Sequence, residues 1–300
     1  MRVLVIGRHG FLGRHIGRRL AAAGWEVVAA GRTPRPGHTG YVRLDVSADG
    51  AARIAEQVVK VTPDAVVNCA GAVGGDPARL TAANVVGPAA LLEGLVRAGL
   101  APRLVHLGSA AEYGAVEPGV PVHERTPTRP VGVYGATKLA GTRLVQLART
   151  CGLDAVVLRV FNPVGPGCPA SGLPGRVAAE LARALAAHDA VRLGPLDAVR
   201  DFVDARDVAD AVHAALTAPV LDHPVLNVGS GTAVPVRTLV DGLVAITGFT
   251  GAVHSDAAGS PRSATVPWQQ ADITAIRTAL GWQPRRDLTT SLDDLWKSVT

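Results

Sequence analysis

An α/β fold built on a doubly wound parallel sheet follows from three observations. Short apolar runs alternate with amphipathic helical stretches through the first half of the chain. The opening run leads directly into a glycine-rich turn and then a helix. Most of the runs are apolar throughout, as strands covered on both faces by helices require.

The first strand, Arg2–Ile6, feeds Gly7-Arg8-His9-Gly10-Phe11-Leu12-Gly13 and a helix over Phe11–Ala23. Glycines at these places permit a tight turn, close approach of backbone to a pyrophosphate and close helix–strand packing, while the helix N-terminus faces the anion. Strands at Glu26–Ala30, Tyr41–Leu44, Ala65–Asn68, Arg103–Leu107 and Ala155–Val160 then alternate with helices around Ala51–Val61, Pro77–Ala98 and Val131–Thr150. A ligand crevice belongs beyond the carboxyl ends of such strands. After about Phe161 the chain turns to Pro/Gly-rich loops and shorter helices, around Arg176–His188, Val208–Thr217, Val236–Ile246 and Ile273–Ala279.

Tyr134 and Lys138 stand four residues apart in the helix over Val131–Thr150, so both side chains share one face. A phenol with an ordinary pKa of about 10 is a poor proton donor or acceptor at neutral pH, and a neighbouring ammonium stabilises its phenolate. That spacing also occurs by chance on helix surfaces; its weight here comes from the strand, turn and helix order around it.

Composition narrows the class. The 300 residues, 48% hydrophobic, suffice for a large core. The formal charge of +5 arises from 30 basic and 25 acidic residues without a basic run, which reads as a solvated surface or as phosphate ligands for a small molecule rather than a nucleic-acid face. Cys69, Cys151 and Cys168 are odd in number and lack metal spacing, and the nine histidines show no ligand pattern, so neither a disulfide framework nor a metal site is expected. No apolar run approaches the roughly 20 residues of a membrane span, and the chain begins on its first strand without a charged leader, so a cytoplasmic, membrane-free protein is expected.

These pieces, in this order, resemble an extended short-chain dehydrogenase/reductase of the nucleotide-sugar epimerase, dehydratase and reductase type. The resemblance is carried by the glycine turn, Asp45-Val46, Asn68-Cys69-Ala70-Gly71, Gly108-Ser109-Ala110-Ala111-Glu112-Tyr113-Gly114, the Tyr134/Lys138 pair, Arg159 to Gly167, Arg200-Asp201-Phe202-Val203-Asp204 and Asn227-Val228-Gly229-Ser230-Gly231. It implies a Rossmann domain over residues 1–161, to which the chain returns around 199–218, and a smaller C-terminal α/β substrate-binding lobe mainly over 162–300.

It further implies catalysis by Ser109, Tyr134 and Lys138. Gly7, Gly10, Phe11, Leu12, Gly13, Arg32, Asp45, Val46, Cys69, Ala70, Gly71, Tyr134, Lys138 and Phe161 would bind the cofactor, and Ser109, Asn162, Arg176, Arg200 and Arg262 a nucleotide-diphosphate sugar. Arg32 stands where NAD-binding members carry an acid for the ribose 2′-hydroxyl; a guanidinium suits a 2′-phosphate, so the expected cofactor is NADP(H), with Arg35 and Arg8 as helpers.

Dehydratases of this type place acids where this chain has Ala110 and Ala111, which argues against elimination of water. The nearer resemblance is to GDP-4-keto-6-deoxy-mannose reductases and related NDP-4-keto-6-deoxyhexose reductases, with an epimerase or a non-catalytic nucleotide-binding regulator as the other readings. Relatives often dimerise through the helix bearing the Tyr/Lys pair, so a homodimer is expected.

Overall fold

The computed structural model describes residues 1–34, 40–257 and 265–299. Seven parallel strands make the main sheet: β1 (Arg2–Ile6), β2 (Glu26–Gly31), β3 (Val42–Arg43), β4 (Ala65–Asn68), β5 (Arg103–Ser109), β6 (Ala155–Val160) and β10 (Val225–Val228), in the order β10-β6-β5-β4-β1-β2-β3. Val3, Leu4 and Val5 of β1 and Ala155 to Leu158 of β6 are fully buried, as parallel strands between two helical layers must be.

On one face, α1 (Phe11–Ala22) and α7 (Ala205–Thr217) pack together through Ile16, Leu20, Val208 and Val212. On the other, α2 (Gly50–Val61), α4 (Gly87–Arg97) and α5 (Val133–Thr150) contribute Ile54, Val58, Leu91, Leu95 and Val145.

The register brings the strand ends level. Ile6 pairs with Ala30 and Asn68, Asn68 with His106, Ser109 with Val160, and the neighbouring ladder ends on Val160 and Val228. The glycine turn, Arg32, Cys69 to Gly71, Ser109 and Phe161 therefore leave the sheet along one edge.

A second sheet is centred on β9 (Val199–Asp204), which pairs with β7 (Asn162–Val164), β11 (Ala233–Pro235) and β13 (Trp268–Gln269). It packs with α6 (Leu173–Ala187), α8 (Val236–Thr247) and the C-terminal helix Leu288–Lys297 around Leu181, Leu239, Leu243 and Leu295. Val191–Arg192 and Val253–His254 form a separate short pair, β8 with β12.

Several elements differ from the expectations. Tyr41–Leu44 contributes only a two-residue strand. The expected helix Pro77–Ala98 is α3 (Pro77–Thr81), a π turn (Ala82–Val86) and α4. Pro88, with no N–H, cannot bond the Asn84 carbonyl four residues back; Gly87 N–H instead bonds Ala82 O, five residues back. The seventh strand, Val225–Val228, was unforeseen because four apolar-rich residues between Pro224 and Gly229 carry almost no periodic signal. The helix Leu288–Lys297, announced by an Asp287 cap that accepts from Thr290 N–H, was also unforeseen.

His106 is packed within β5, 1% exposed, with Asn68 Nδ2 donating to its Nδ1 at 3.1 Å. Burial first, and the Lys138 charge second, hold its pKa well below 6.5. The folded chain thus binds this proton more weakly than the unfolded chain. The neutral ring's contribution is complete above the unfolded value and lost as pH falls below about 6.5. Thermal midpoints measured from pH 7.5 to 5 should fall, by up to about 1.4 kcal/mol of stability per pH unit from this group, and less steeply in His106→Gln; an unchanged slope would remove His106 from the acid response.

Candidate functional site

The glycine turn is a backbone cradle. Gly7, at φ +79°, donates its N–H to Ala30 O at 2.9 Å, and Gly10 N–H bonds Gly7 O at 2.9 Å. A Cβ at Gly7 would lie 2.8 Å from Ala70 N, and one at Gly13 would lie 2.2 Å from Gly7 O, so any side chain at either place would displace backbone. Helix α1 starts with no side-chain cap and no acid in its first turn. The first-turn N–H groups of Phe11, Leu12 and Gly13 have no helical acceptor, which leaves them for an anion. Arg8 lies across α1 at Gly17, whose Cβ would meet its Nε, and burial lowers its pKa.

Arg32 is exposed in the bend just past β2. Beside this bend, His9 stacks on Tyr41 with ring centres 5.4 Å apart, and Tyr41 Oη lies 3.0 Å from where a Gly31 Cβ would be. Asp45 closes a turn by accepting from Ser47 N–H at 3.0 Å and Ser47 Oγ at 2.5 Å, and Val46 is buried against Gly87. Arg35 and Arg262 lie outside the described residues.

Past β4, Ala70 N–H bonds Asn68 Oδ1 at 3.1 Å, and burial pushes the Cys69 thiol up to about 12. Gly71 passes over Asn84 Oδ1, 3.0 Å from its would-be Cβ. Asn84, in the π turn, accepts from Ala72 N–H at 3.0 Å and donates to Ala72 O at 2.9 Å and to Thr137 Oγ1 at 3.1 Å. Thr137 in turn donates to Tyr134 O at 3.0 Å. Asn84 thus ties the loop after β4 to the helix bearing Tyr134. Sequence reasoning missed it; the signal was the proline four residues on.

Tyr134 is half-buried in the first turn of α5. Lys138 is 7% exposed and donates to Leu107 O at 2.5 Å, while a Cβ at Gly135 would lie 2.4 Å from Ala111 O. These two contacts bracket Ser109 and seat the first turns of α5 against the end of β5 and the segment that follows it. Burial lowers the Lys138 pKa, opposed first by the charge of Glu112.

Ser109 ends β5 and caps the 3₁₀ turn Ala110–Glu112, its Oγ accepting from Ala111 N–H at 3.2 Å. A hydroxyl that accepts from backbone still has its own O–H to donate. Glu112, the carboxylate of this turn, is fully buried in an ion pair with Arg159, Nε to Oε2 2.7 Å.

On the lobe side, Asn162 Nδ2 bonds Asp201 O at 2.8 Å, and Arg176 is exposed in the first turn of α6. Arg200 is buried, with one guanidinium nitrogen on Val199 O at 2.9 Å and another on Val266 O at 2.5 Å, so it serves the backbone around β13. Phe161 requires a correction. Its side chain is 0% exposed, packed with Tyr113, Val122 and Ala271, and is closed to a cofactor.

Asp201, buried, accepts from Ser230 N–H and Oγ, Gly231 N–H and Ala271 N–H at 2.6–3.0 Å and so joins the ends of β9 and β10. Gln269 reaches from β13 to Ala110 O at 2.9 Å. Neither was singled out from sequence, because their partners are distant in the chain.

The sheet, the glycine cradle and the Tyr/Lys helix define an extended short-chain dehydrogenase/reductase. The chain belongs to the NAD dependent epimerase/dehydratase family, whose model matches residues 3–229. It is 39% identical over 303 residues to a dTDP-6-deoxy-L-talose 4-dehydrogenase (NAD(P)(+)) of Kitasatospora kifunensis, covering 98% of this chain and 94% of that one. It is 30% identical to a GDP-6-deoxy-D-mannose reductase of Pseudomonas aeruginosa, covering 97% and 94%.

Among solved structures it is similar to RMD from Pseudomonas aeruginosa complexed with NADPH, with TM-score 0.83, 27% identity and 99% and 98% coverage. It is also similar in fold to a Thermus thermophilus UDP-glucose 4-epimerase complex with NAD, with TM-score 0.87, 26% identity and 99% and 98% coverage. Among the described residues no helix is long and apolar enough to cross a membrane, and no group of His, Cys, Asp and Glu is placed to hold a metal ion.

In Gly13→Ala the methyl group meets a carbonyl rather than a movable side chain. Overpacking of this kind costs about 1–3 kcal/mol, so dinucleotide affinity read by fluorescence titration should fall about tenfold. Affinity within about twofold of wild type in a folded variant would separate this loop from the cofactor.

Proposed function

We propose that the chain reduces the 4-keto group of a nucleotide-activated 4-keto-6-deoxyhexose with NADPH, the nucleotide being dTDP. The observation that carries this is the turn after Ser109. Ala110 and Ala111 bring no carboxylate, and the one acid there, Glu112, is 0% exposed and bound to Arg159. No group in that turn can protonate a leaving hydroxyl, whereas ketone reduction needs only a hydride and one proton. The Kitasatospora relative is named for the 4-position of a dTDP-linked 6-deoxyhexose, and dehydrogenation and keto reduction are two directions of one reaction.

The cradle of Gly7 and Gly13, which a Cβ would fill, fits a dinucleotide pyrophosphate. When bound, NADPH supplies the hydride. Tyr134 delivers the proton to the sugar oxygen at C4, Lys138 stabilises the resulting phenolate, and the Ser109 O–H holds that oxygen in place. Arg32 takes the 2′-phosphate at the end of β2. Arg176, and Arg262 by its sequence position, take the nucleotide diphosphate. The exposed apolar face with Val96 (72%) and Leu147 (63%) on α4 and α5 is the proposed homodimer contact. Three cysteines free of disulfides accord with a cytoplasmic setting.

An epimerase is the second reading, favoured by the likeness to a UDP-glucose 4-epimerase and by the same Tyr/Lys pair. An NDP-4-keto-6-deoxyhexose supplied with NADPH deuterated at the transferred hydrogen should yield product with one deuterium at C4 and one NADP⁺ per sugar. Tyr134→Phe should slow this by roughly 10²-fold or more. Interconversion of fully hydroxylated sugars without cofactor oxidation or label would reject the reductase in favour of the epimerase.

Arg32→Ala should lose roughly tenfold or more in NADPH affinity, with NADH little changed. Dissociation constants for both cofactors check this; equal wild-type affinities would refute the 2′-phosphate assignment.

A further inference from the structure

Glu112 and Arg159 form an ion pair with side chains 0% and 2% exposed. The carboxylate is shared among three elements. Oε1 accepts from Ser109 N–H at 2.8 Å and from Thr142 Oγ1 at 2.9 Å, and Oε2 accepts from Arg159 Nε at 2.7 Å. Thr142 lies one helical turn beyond Lys138 and two beyond Tyr134, on the same face of α5. Gly108 leaves the space: a Cβ there would stand 2.8 Å from Glu112 Oε1.

Arg159 lies over the Tyr113 ring, 4.6 Å from its centre, and Tyr113 Oη donates to Asn227 Oδ1 at 2.7 Å. One anion therefore joins the end of β5 to α5 directly, and to β6 and β10 through Arg159, Tyr113 and Asn227. A buried ion pair is often no more stabilising than apolar residues of similar volume, so stability alone does not account for it.

We propose that Glu112 is a positioning residue for the reduction, its carboxylate fixing the Ser109 backbone against the helix that carries Tyr134 and Lys138. The inference rests on the reductase reading of those three residues. The same anion is the foremost charge opposing the burial that works against the Lys138 ammonium.

Glu112→Gln alone strands a buried guanidinium and can fail to fold. The test therefore uses the paired substitution Glu112→Gln/Arg159→Met, which removes both charges, and Thr142→Val, which removes only a donor hydroxyl. Values of kcat and KM for the ketosugar, and Kd for NADPH, are measured for each with Ser109 intact and in Ser109→Ala. With Ser109 present, the pair should lower kcat about tenfold or more and Thr142→Val about threefold, with NADPH affinity within about twofold of wild type.

In Ser109→Ala the same changes should cost clearly less kcat than with Ser109 present, because the hydroxyl whose placement they secure through its backbone is gone. Equal losses in both backgrounds, or full turnover with Ser109 present, would overturn the proposal. If the pair does not fold, Thr142→Val decides by the same comparison. A wild type that reduces no nucleotide ketosugar rejects the parent reading and this one with it; an active wild type with additive variants rejects only this one.

Discussion

The bond from the Lys138 ammonium to the Leu107 carbonyl, 2.5 Å long and sealed from solvent, depends on how closely α5 can lie against the end of β5. That approach is made possible by what the helix lacks. Gly135 admits the Ala111 carbonyl and Gly141 the Asn84 carbonyl, each within 2.5 Å of where a Cβ would stand. Helix, strand end and the loop after β4 converge because two residues of α5 have no side chain, and the level ends of the main sheet supply the surface on which they converge.

The electrostatic arrangement follows from that closeness. Burial lowers the Lys138 pKa, and the foremost charge opposing this stands on another element, Glu112 after β5. His106, next to Leu107, is kept neutral first by its burial and second by the Lys138 charge. Tyr134 stands apart from them at the half-buried start of α5.

Much of this was legible in sequence where the signal is local. Arg2–Ile6, Ala65–Asn68 and Ala155–Val160 were placed to the residue, because an apolar run bounded by turn residues marks its own ends. The glycine turn and the four-residue spacing of Tyr134 and Lys138 were readable for the same reason. What escaped depends on partners far along the chain. Asp201 matters through Ser230 and Ala271, Arg159 through Glu112, and Gln269 through Ala110. Phe161 misled because a motif records position along the chain but not the direction of the side chain, and here the ring turns into the core.

The π turn at Ala82–Val86 has a consequence for phase. Each residue of an α-helix advances the direction of its side chain by about 100°, the angle by which one extra residue in an ordinary helix would turn everything after it. Leu80 and the row Leu91, Leu92 and Leu95 are all buried, and the wide turn between them takes up the extra residue. The segment works as two helices, α3 and α4, joined by that wide turn. Loss of a single residue from this turn would close it into an ordinary α turn and leave the leucine row of α4 facing the core as it does now.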